Sequence, residues 1–315
     1  MSDVDPTRII LRNMAVFALR GATLMRRAVG DQVAPAFLFA AVRRANIDHI
    51  PYAARDALSL LPEAGGDGDE LRRGISVNAL SRAFDMPYET VRTCVNRFIA
   101  RDMMERRADG VVVPGRVLAR SPFRETDEEI AAALIDAVNA LARLGIDLGS
   151  IAGPTRQVAG GAPRGLIARI ASDAALGASE LVAPVFGGFT NGLVYCGVLV
   201  TSSRRLLASP EEAWRYAAPD TPPPDEVREP VSLRALSATL ELPFETTRRH
   251  ANDLISRRLL TAVPGQGVTP HAEAVGPNAL GRRIPALMGQ AASMLRALVQ
   301  IGFDVSSWSE ERKRA

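Results

Sequence analysis

The chain has 315 residues, 47% of them hydrophobic, which is enough for two compact domains of ordinary size. Its net charge of +3 is too small to imply a polyanionic partner by itself. Two cysteines, Cys94 and Cys196, and three histidines, His49, His250 and His271, have neither disulfide nor metal-ligand spacing, which argues against a disulfide scaffold or a zinc module and fits a reducing cytoplasm.

Helical periodicity predicts a helix over 8–28 and another opened by Pro35 and running through Ile50. A short helical piece at 52–61 leads into the flexible AGGDGDE. Residues 75–114 then read ISVNALSRAFDMPYETVRTCVNRFIARDMMERRADGVVVP, and 156 positions on (Ser232 minus Ser76) residues 231–270 read VSLRALSATLELPFETTRRHANDLISRRLLTAVPGQGVTP. Identities such as Ser76/Ser232, Pro87/Pro243, Glu89/Glu245, Arg92/Arg248, Asn96/Asn252 and Val112/Val268 fall in one ungapped register, so the unit is a repeat. The lead-in DELR at 69–72 recurs as DEVR at 225–228, which carries the duplication upstream.

Within each copy, Ser76 and Ser232 are placed to cap a short helix with Val77, Leu80, Ala83 and Phe84, or Leu233, Leu236 and Leu240, at helical spacing. Pro87 and Pro243 mark the start of a second helix, with Glu89 and Glu245 near its positive end. On that second helix Val91, Cys94, Val95 and Phe98 form a core face, and Glu89, Thr93 and Asn96 point away, flanked by Arg92 and Arg97. The second copy turns Glu245, Arg249, Asn252 and Ser256 outward, flanked by Arg248 and Asp253. Cys94 and His250 fall at equivalent core-side positions and read as packing residues rather than nucleophile and base. Alternating segments around Asp109-Gly110 and around Gly265-Gln266 predict a β-hairpin after each.

This order resembles the winged helix-turn-helix of bacterial transcription regulators of the GntR and MarR types. The carrying residues are PYETVRTCVNRFIARDMMERRADGVVVP and PFETTRRHANDLISRRLLTAVPGQGVTP. The likeness spans about 45 residues per copy. It departs from the family pattern where a glycine is usual: Asp85 or Glu241 stands in the corner, and Asp102 or Arg258 before the wing. The resemblance implies double-stranded DNA as partner, contacted through Thr90, Arg92, Thr93, Asn96, Arg97, Arg106 and Arg107 of the first copy and Thr246, Arg248, Arg249 and Asn252 of the second. Asn suits an adenine edge, Arg249 suits guanine, and the other arginines suit phosphates. Ten arginines from Arg72 to Arg120 predict a more basic first unit, whereas Arg228 to Arg258 are nearly balanced by Glu229, Glu241, Glu245, Asp253 and Glu273. The arginine preference itself, with Lys313 the lone lysine, is equally what a GC-rich genome would produce.

A closing amphipathic helix is predicted at 126–144 and again at 282–301. The apolar run 181–203 reads as a buried core or interface helix, matched to VAPAFLFAAVRRAN of the first half, rather than as a membrane span. The expected fold is therefore mainly α: two tandem repeats, each a helical segment plus a winged helix-turn-helix with a small β-hairpin wing and a closing helix. The first repeat is expected at 1–148 (winged helix 72–118), a Gly/Pro-rich linker at 149–165, the second repeat at 166–305 (winged helix 228–274) and a charged tail at 306–315.

The functional expectation is a cytoplasmic, non-enzymatic DNA-binding regulator, with no catalytic residue, no metal and no cofactor. Two recognition helices about 34 Å apart would meet an imperfect palindrome as a covalent pseudo-dimer. The alternative is a protein-interaction or chromosome-organising protein. No signal peptide and no membrane partner are expected, and homodimerisation through the helical segments and a small-molecule effector are left open.

Overall fold

The computed structural model describes residues 4–61, 68–84, 86–155, 161–224, 227–271, 274 and 280–304. The corner residue Asp85, the pair Asp225 and Glu226, Glu273, the tail at 306–315 and most of AGGDGDE lie outside them.

The described chain is mainly helical with two small antiparallel two-stranded sheets. Its first half runs α1 (Thr7–Val29), α2 (Val33–Ala45), α3 (Arg55–Ser59), α4 (Val77–Phe84), α5 (Tyr88–Ala100), β1 (Glu105–Arg107), β2 (Gly110–Val112), α6 (Gly115–Leu118), α7 (Phe123–Arg143) and α8 (Leu148–Ala152). Its second half runs α9 (Arg164–Phe186), α10 (Phe189–Ser202), α11 (Arg204–Ala208), α12 (Pro210–Arg215), α13 (Leu233–Leu240), α14 (Phe244–Ser256), β3 (Leu260–Val263), β4 (Gly267–Pro270) and α15 (Ile284–Gln300). The first part of the expected linker is thus the helix α8, which packs on α15, and α9 begins at Arg164.

Like elements recur in like order. Both α1 and α9 have 23 residues, and both stop at a left-handed glycine, Gly30 and Gly187, whose N–H returns to the last turn. A second helix follows each at once. The apolar run 181–203 is therefore two helices, bent by 98° at Gly187 and Gly188. VAPAF at 33–37 opens α2 whereas VAPVF at 182–186 closes α9, so those matching letters mark different places in the two halves. Among the described residues no single helix is long and apolar enough to cross a membrane. The helix predicted through Ile50 ends at Ala45, because Asn46 turns its side chain away from α2 and onto the hairpin.

The serine caps form as the spacing requires. Ala79 N–H donates to Ser76 Oγ and Ala235 N–H to Ser232 Oγ, each at 3.1 Å. Val77, Leu80 and Phe84 are buried, whereas Ala83 is exposed. The hairpins shift the repeat by one residue. Ile75 bridges Val111, but Val231 bridges Val268, 157 rather than 156 positions on. The cause is the turn: two residues separate β1 from β2 and three separate β3 from β4. In the shifted register Gly110 matches Gly267, and both need glycine because a Cβ would fall 2.6 Å from the Ile75 carbonyl oxygen or 2.1 Å from that of Val231.

The four long helices form the shared core. α1 packs on α7, α7 on α9 and α9 on α15, and α1 also meets α9 and α15, so both halves contribute to one apolar cluster. The halves also exchange contacts reciprocally. Phe189, first residue of α10, stacks on Phe37 and packs tilted against Phe84 of the first half, while Val33, first residue of α2, joins the apolar cluster beneath α13 and α14. Such reciprocity is what a two-fold interface imposes on two copies.

Three residues without glycine's freedom sit in the left-handed region: Asp102 (φ 54°), Glu241 (φ 50°) and Arg258 (φ 57°). These are three of the four places where the resemblance expects glycine. Asp102 is held by Arg116 and Arg120, and Glu241 accepts from Arg26 and Arg27 at the end of α1. The hydrogen bond from Arg27, with both positive charges, also holds the Glu241 carboxyl below its ordinary range. Arg258 is exposed at the end of α14. Replacing Arg258 by glycine is expected to stabilise the chain by about 0.5–1 kcal/mol, since relief of the left-handed strain slightly outweighs glycine's greater freedom when unfolded. A thermal melt with an unchanged or lower midpoint would contradict this.

Candidate nucleic-acid interface

α5 and α14 are each held from below and open above. Val91, Cys94, Val95 and Phe98 are buried on α5, as are Thr247, Ala251 and Leu254 on α14. The last turn of each is anchored to the end of its long helix by an arginine. Arg101 Nη2 donates to the Val29 carbonyl at 2.7 Å, and Arg257 lies against Gly187 while bonding Asp253 at 2.9 Å. A cation at a helix carboxyl end also meets the negative end of the macrodipole. The amino-terminal turns of α5 and α14 are thereby left in solvent.

On that open side Thr90, Arg92, Thr93, Asn96 and Arg97 are exposed, as are Arg248, Arg249 and Asn252, and Thr246 is half-buried. The two faces repeat in detail. Arg92 bonds Glu89 through Nε and Nη2 at 2.8 and 2.6 Å, and Arg248 bonds Glu245 at 2.9 and 2.7 Å. Arg106 of β1 is exposed and donates to Asn96 Oδ1 at 3.2 Å, so hairpin and helix share one surface. Arg249 lies 3.5 Å from His250.

Other arginines of the predicted set are engaged in holding the fold. Arg97 pairs with Asp31, in the turn between α1 and α2, at 2.8 Å. Arg107 is half-buried, donates to the Asp69 carbonyl at 2.9 Å and pairs with the Asp69 carboxylate at 3.4 Å. It braces the lead-in against the hairpin. Arg72 and Arg228, at equivalent places in the lead-ins, are only 5% and 7% exposed. Arg116 and Arg120 pair with Asp102. Several arginines counted in the first unit are thus already paired with carboxylates of the fold, and Arg72 is buried as Arg228 is in the second.

The sequence reading passed over Tyr88 and Phe244. They occupy equivalent first positions of α5 and α14 and are 46% and 41% exposed, among the few large apolar side chains in solvent. The signal was an aromatic repeated beside a proline where a core residue has no reason to be.

Among the described residues no group of three His, Cys, Asp or Glu could hold a metal ion. Cys94 is buried, its thiol pushed up chiefly by that burial and only partly countered by Arg97, which disfavours the reactive thiolate. His250 contacts Asn191 Oδ1 through Nδ1 at 2.6 Å, joining α14 to α10; burial foremost lowers its pKa. Both are packing groups in separate units. The chemistry these surfaces offer is hydrogen bonding and positive charge on two repeated helix faces, and no family model, characterised protein or solved structure matches the chain.

Proposed function

We propose that the chain is a DNA-binding transcription regulator built as an intramolecular pseudo-dimer of two winged helix-turn-helix units. The observation that carries this is the doubled open face: Asn96 with Arg92 on α5 and Asn252 with Arg248 on α14, at equivalent positions and exposed together. Each helix would enter a major groove, with the asparagine toward an adenine edge and Arg249 toward guanine. Arg92, Arg106 and Arg248 would meet phosphates, which fix register without reading sequence, and Arg97 would join them by exchanging Asp31 for a phosphate. Arg107 would act through the hairpin it braces. The interlocked helices would set the spacing of the two grooves, the task that a dimer interface performs for single-unit proteins.

The test is binding of the full chain to genomic fragments it selects, measured against salt. About five phosphate or base-edge arginines predict a log–log slope of roughly −4 to −5. Arg92→Ala with Arg248→Ala should shallow that slope by about two and weaken binding on all sequences alike. If the double variant bound with unchanged affinity and slope, the proposal would be wrong.

A protein-binding reading has one observation in its favour, the paired exposed aromatics Tyr88 and Phe244. It predicts association that is nearly independent of salt, and that is lost in Tyr88→Ser with Phe244→Ser.

A further inference from the structure

A cavity of about 180 Å³ lies between the amino-terminal half of α1, the end of α9, α10 and the end of β4. Its walls are mostly apolar, with Leu11, Met14, Val182, Leu199 and Leu287 among them. Into this apolar space the fold brings three arginines. Arg8, Arg12 and Arg228 all line it and are only 7%, 6% and 7% exposed. Arg8 donates to the carbonyls of Ala218 and Pro219, and Arg228 to those of Pro223 and Pro270. Arg12 differs: its Nη1 is buried with no hydrogen-bond partner among the described residues. Tyr195 also lines the cavity, is 1% exposed, and its hydroxyl likewise lacks a partner.

An unmet guanidinium N–H and an unmet hydroxyl in one apolar cavity are expensive to keep. The arginines also act on one another. Burial, and then the charges of Arg8 and Arg228, press the Arg12 pKa down to about 10. Burial foremost pushes the Tyr195 hydroxyl up, so it remains a hydrogen-bond donor at neutral pH. Among the described residues neither Arg12 Nη1 nor the Tyr195 hydroxyl meets an acceptor, and a carboxylate supplies acceptors together with negative charge. Size sets the rest: an apolar cavity of about 150 Å³ holds a benzene molecule, so this one takes a ring or chain of roughly six to eight carbons.

We propose that this cavity binds a compact organic monocarboxylate, its anionic oxygens on Arg12 and the Tyr195 hydroxyl and its hydrocarbon body among the apolar walls. The site adjoins the second helix and hairpin unit directly, since α10 packs on α13, α14 and β4, and Arg228 ties the end of β4 to the lead-in. An occupant would therefore press on the unit that carries Asn252. Ligand binding itself needs no DNA, so it stands or falls separately from the proposed function.

The full chain, without DNA, is titrated calorimetrically with octanoate and cyclohexanecarboxylate, and with octanamide and inorganic phosphate as controls. Saturable binding of an acid is expected, at least about tenfold tighter than octanamide, with phosphate weaker still. Arg12→Met should raise the melting temperature of the free chain, because a buried unmet charge is removed, and should abolish the preference for acid over amide. Tyr195→Phe, which leaves the ring packing intact, should weaken acid binding several-fold, and it serves if the arginine variant fails to fold. Equal binding of acid and amide, binding of phosphate as tight as that of the acids, or no saturation by either acid up to roughly 10 mM would overturn the proposal.

Discussion

Replacing Asn46 by alanine should destabilise the chain by about 3–4 kcal/mol. Asn46 has no exposed surface. Its Nδ2 donates to the carbonyls of Arg73 at 2.7 Å and Val111 at 3.0 Å, and its Oδ1 accepts from Val113 N–H at 2.9 Å. One side chain thus ties the end of α2 to the segment after the lead-in and to the edge of the hairpin that β1 leaves open. Alanine would strand the Arg73 carbonyl and the Val113 N–H with little access to water, each at a cost of about 1–3 kcal/mol partly relieved by local opening, and would leave the Val111 carbonyl only its bond from Ile75 N–H. Asn46→Asp should be no rescue, since it keeps the acceptor toward Val113 and loses both donors. The matching place in the second half is Ser202, whose hydroxyl donates only to Leu199 in its own helix, at 3.2 Å. Ser202→Ala should therefore cost less than about 1 kcal/mol. Denaturant unfolding of the two variants measures the contrast; an Asn46→Ala chain within 1 kcal/mol of the parent would refute it.

Asn46 and Ser202 stand at matched positions of the repeat, yet nothing in the sequence tells their roles apart. Local features were legible: the buried set Val91, Cys94, Val95 and Phe98, and the caps Ser76 and Ser232, follow from helical spacing and side-chain chemistry that act within a few residues. The break at Gly187 and Gly188 was not drawn, because a run apolar on every side has no periodicity to interrupt, and the VAPxF match pointed to a false alignment. The one-residue shift between hairpins lay hidden because Val112/Val268 and Pro114/Pro270 agree by letter, whereas the ladder depends on turn length. Arg72 and Arg228 count only as charge in the sequence and Arg12 has no sign there, since burial of an arginine is decided by the partners and walls that the fold brings to it. The exchange of Phe189 and Val33 between halves, and the grip of Arg26 and Arg27 on Glu241, link residues with no pattern in common. For the open face, periodicity identified which residues point outward; which arginines are already occupied depended on tertiary partners such as Asp31 and Asp69.

Asn96→Ala combined with Asn252→Ala should remove about 2–6 kcal/mol of sequence-specific DNA affinity and leave non-specific affinity and its salt slope almost unchanged. Asparagine carries no charge, so it releases no counterion; what it contributes is a donor and an acceptor spaced to match adenine N7 and N6. The two sites should not contribute equally. Asn96 Oδ1 already accepts from Arg106, so an adenine amino group would have to share that oxygen with the arginine or displace it toward a phosphate. In the second hairpin the residue facing Val268, as Arg106 faces Val111, is Ala262. Asn252 would therefore meet DNA with no wing arginine to displace. Asn252→Ala should accordingly cost more than Asn96→Ala, by about 1 kcal/mol, the worth of one such hydrogen bond. Arg106→Ala should narrow that difference, since it frees Asn96 in advance, while shallowing the salt slope by about one through loss of a phosphate contact. Equal losses on selected and random DNA would place both asparagines outside base recognition, and a larger loss at Asn96 would reverse the assigned roles of the two units.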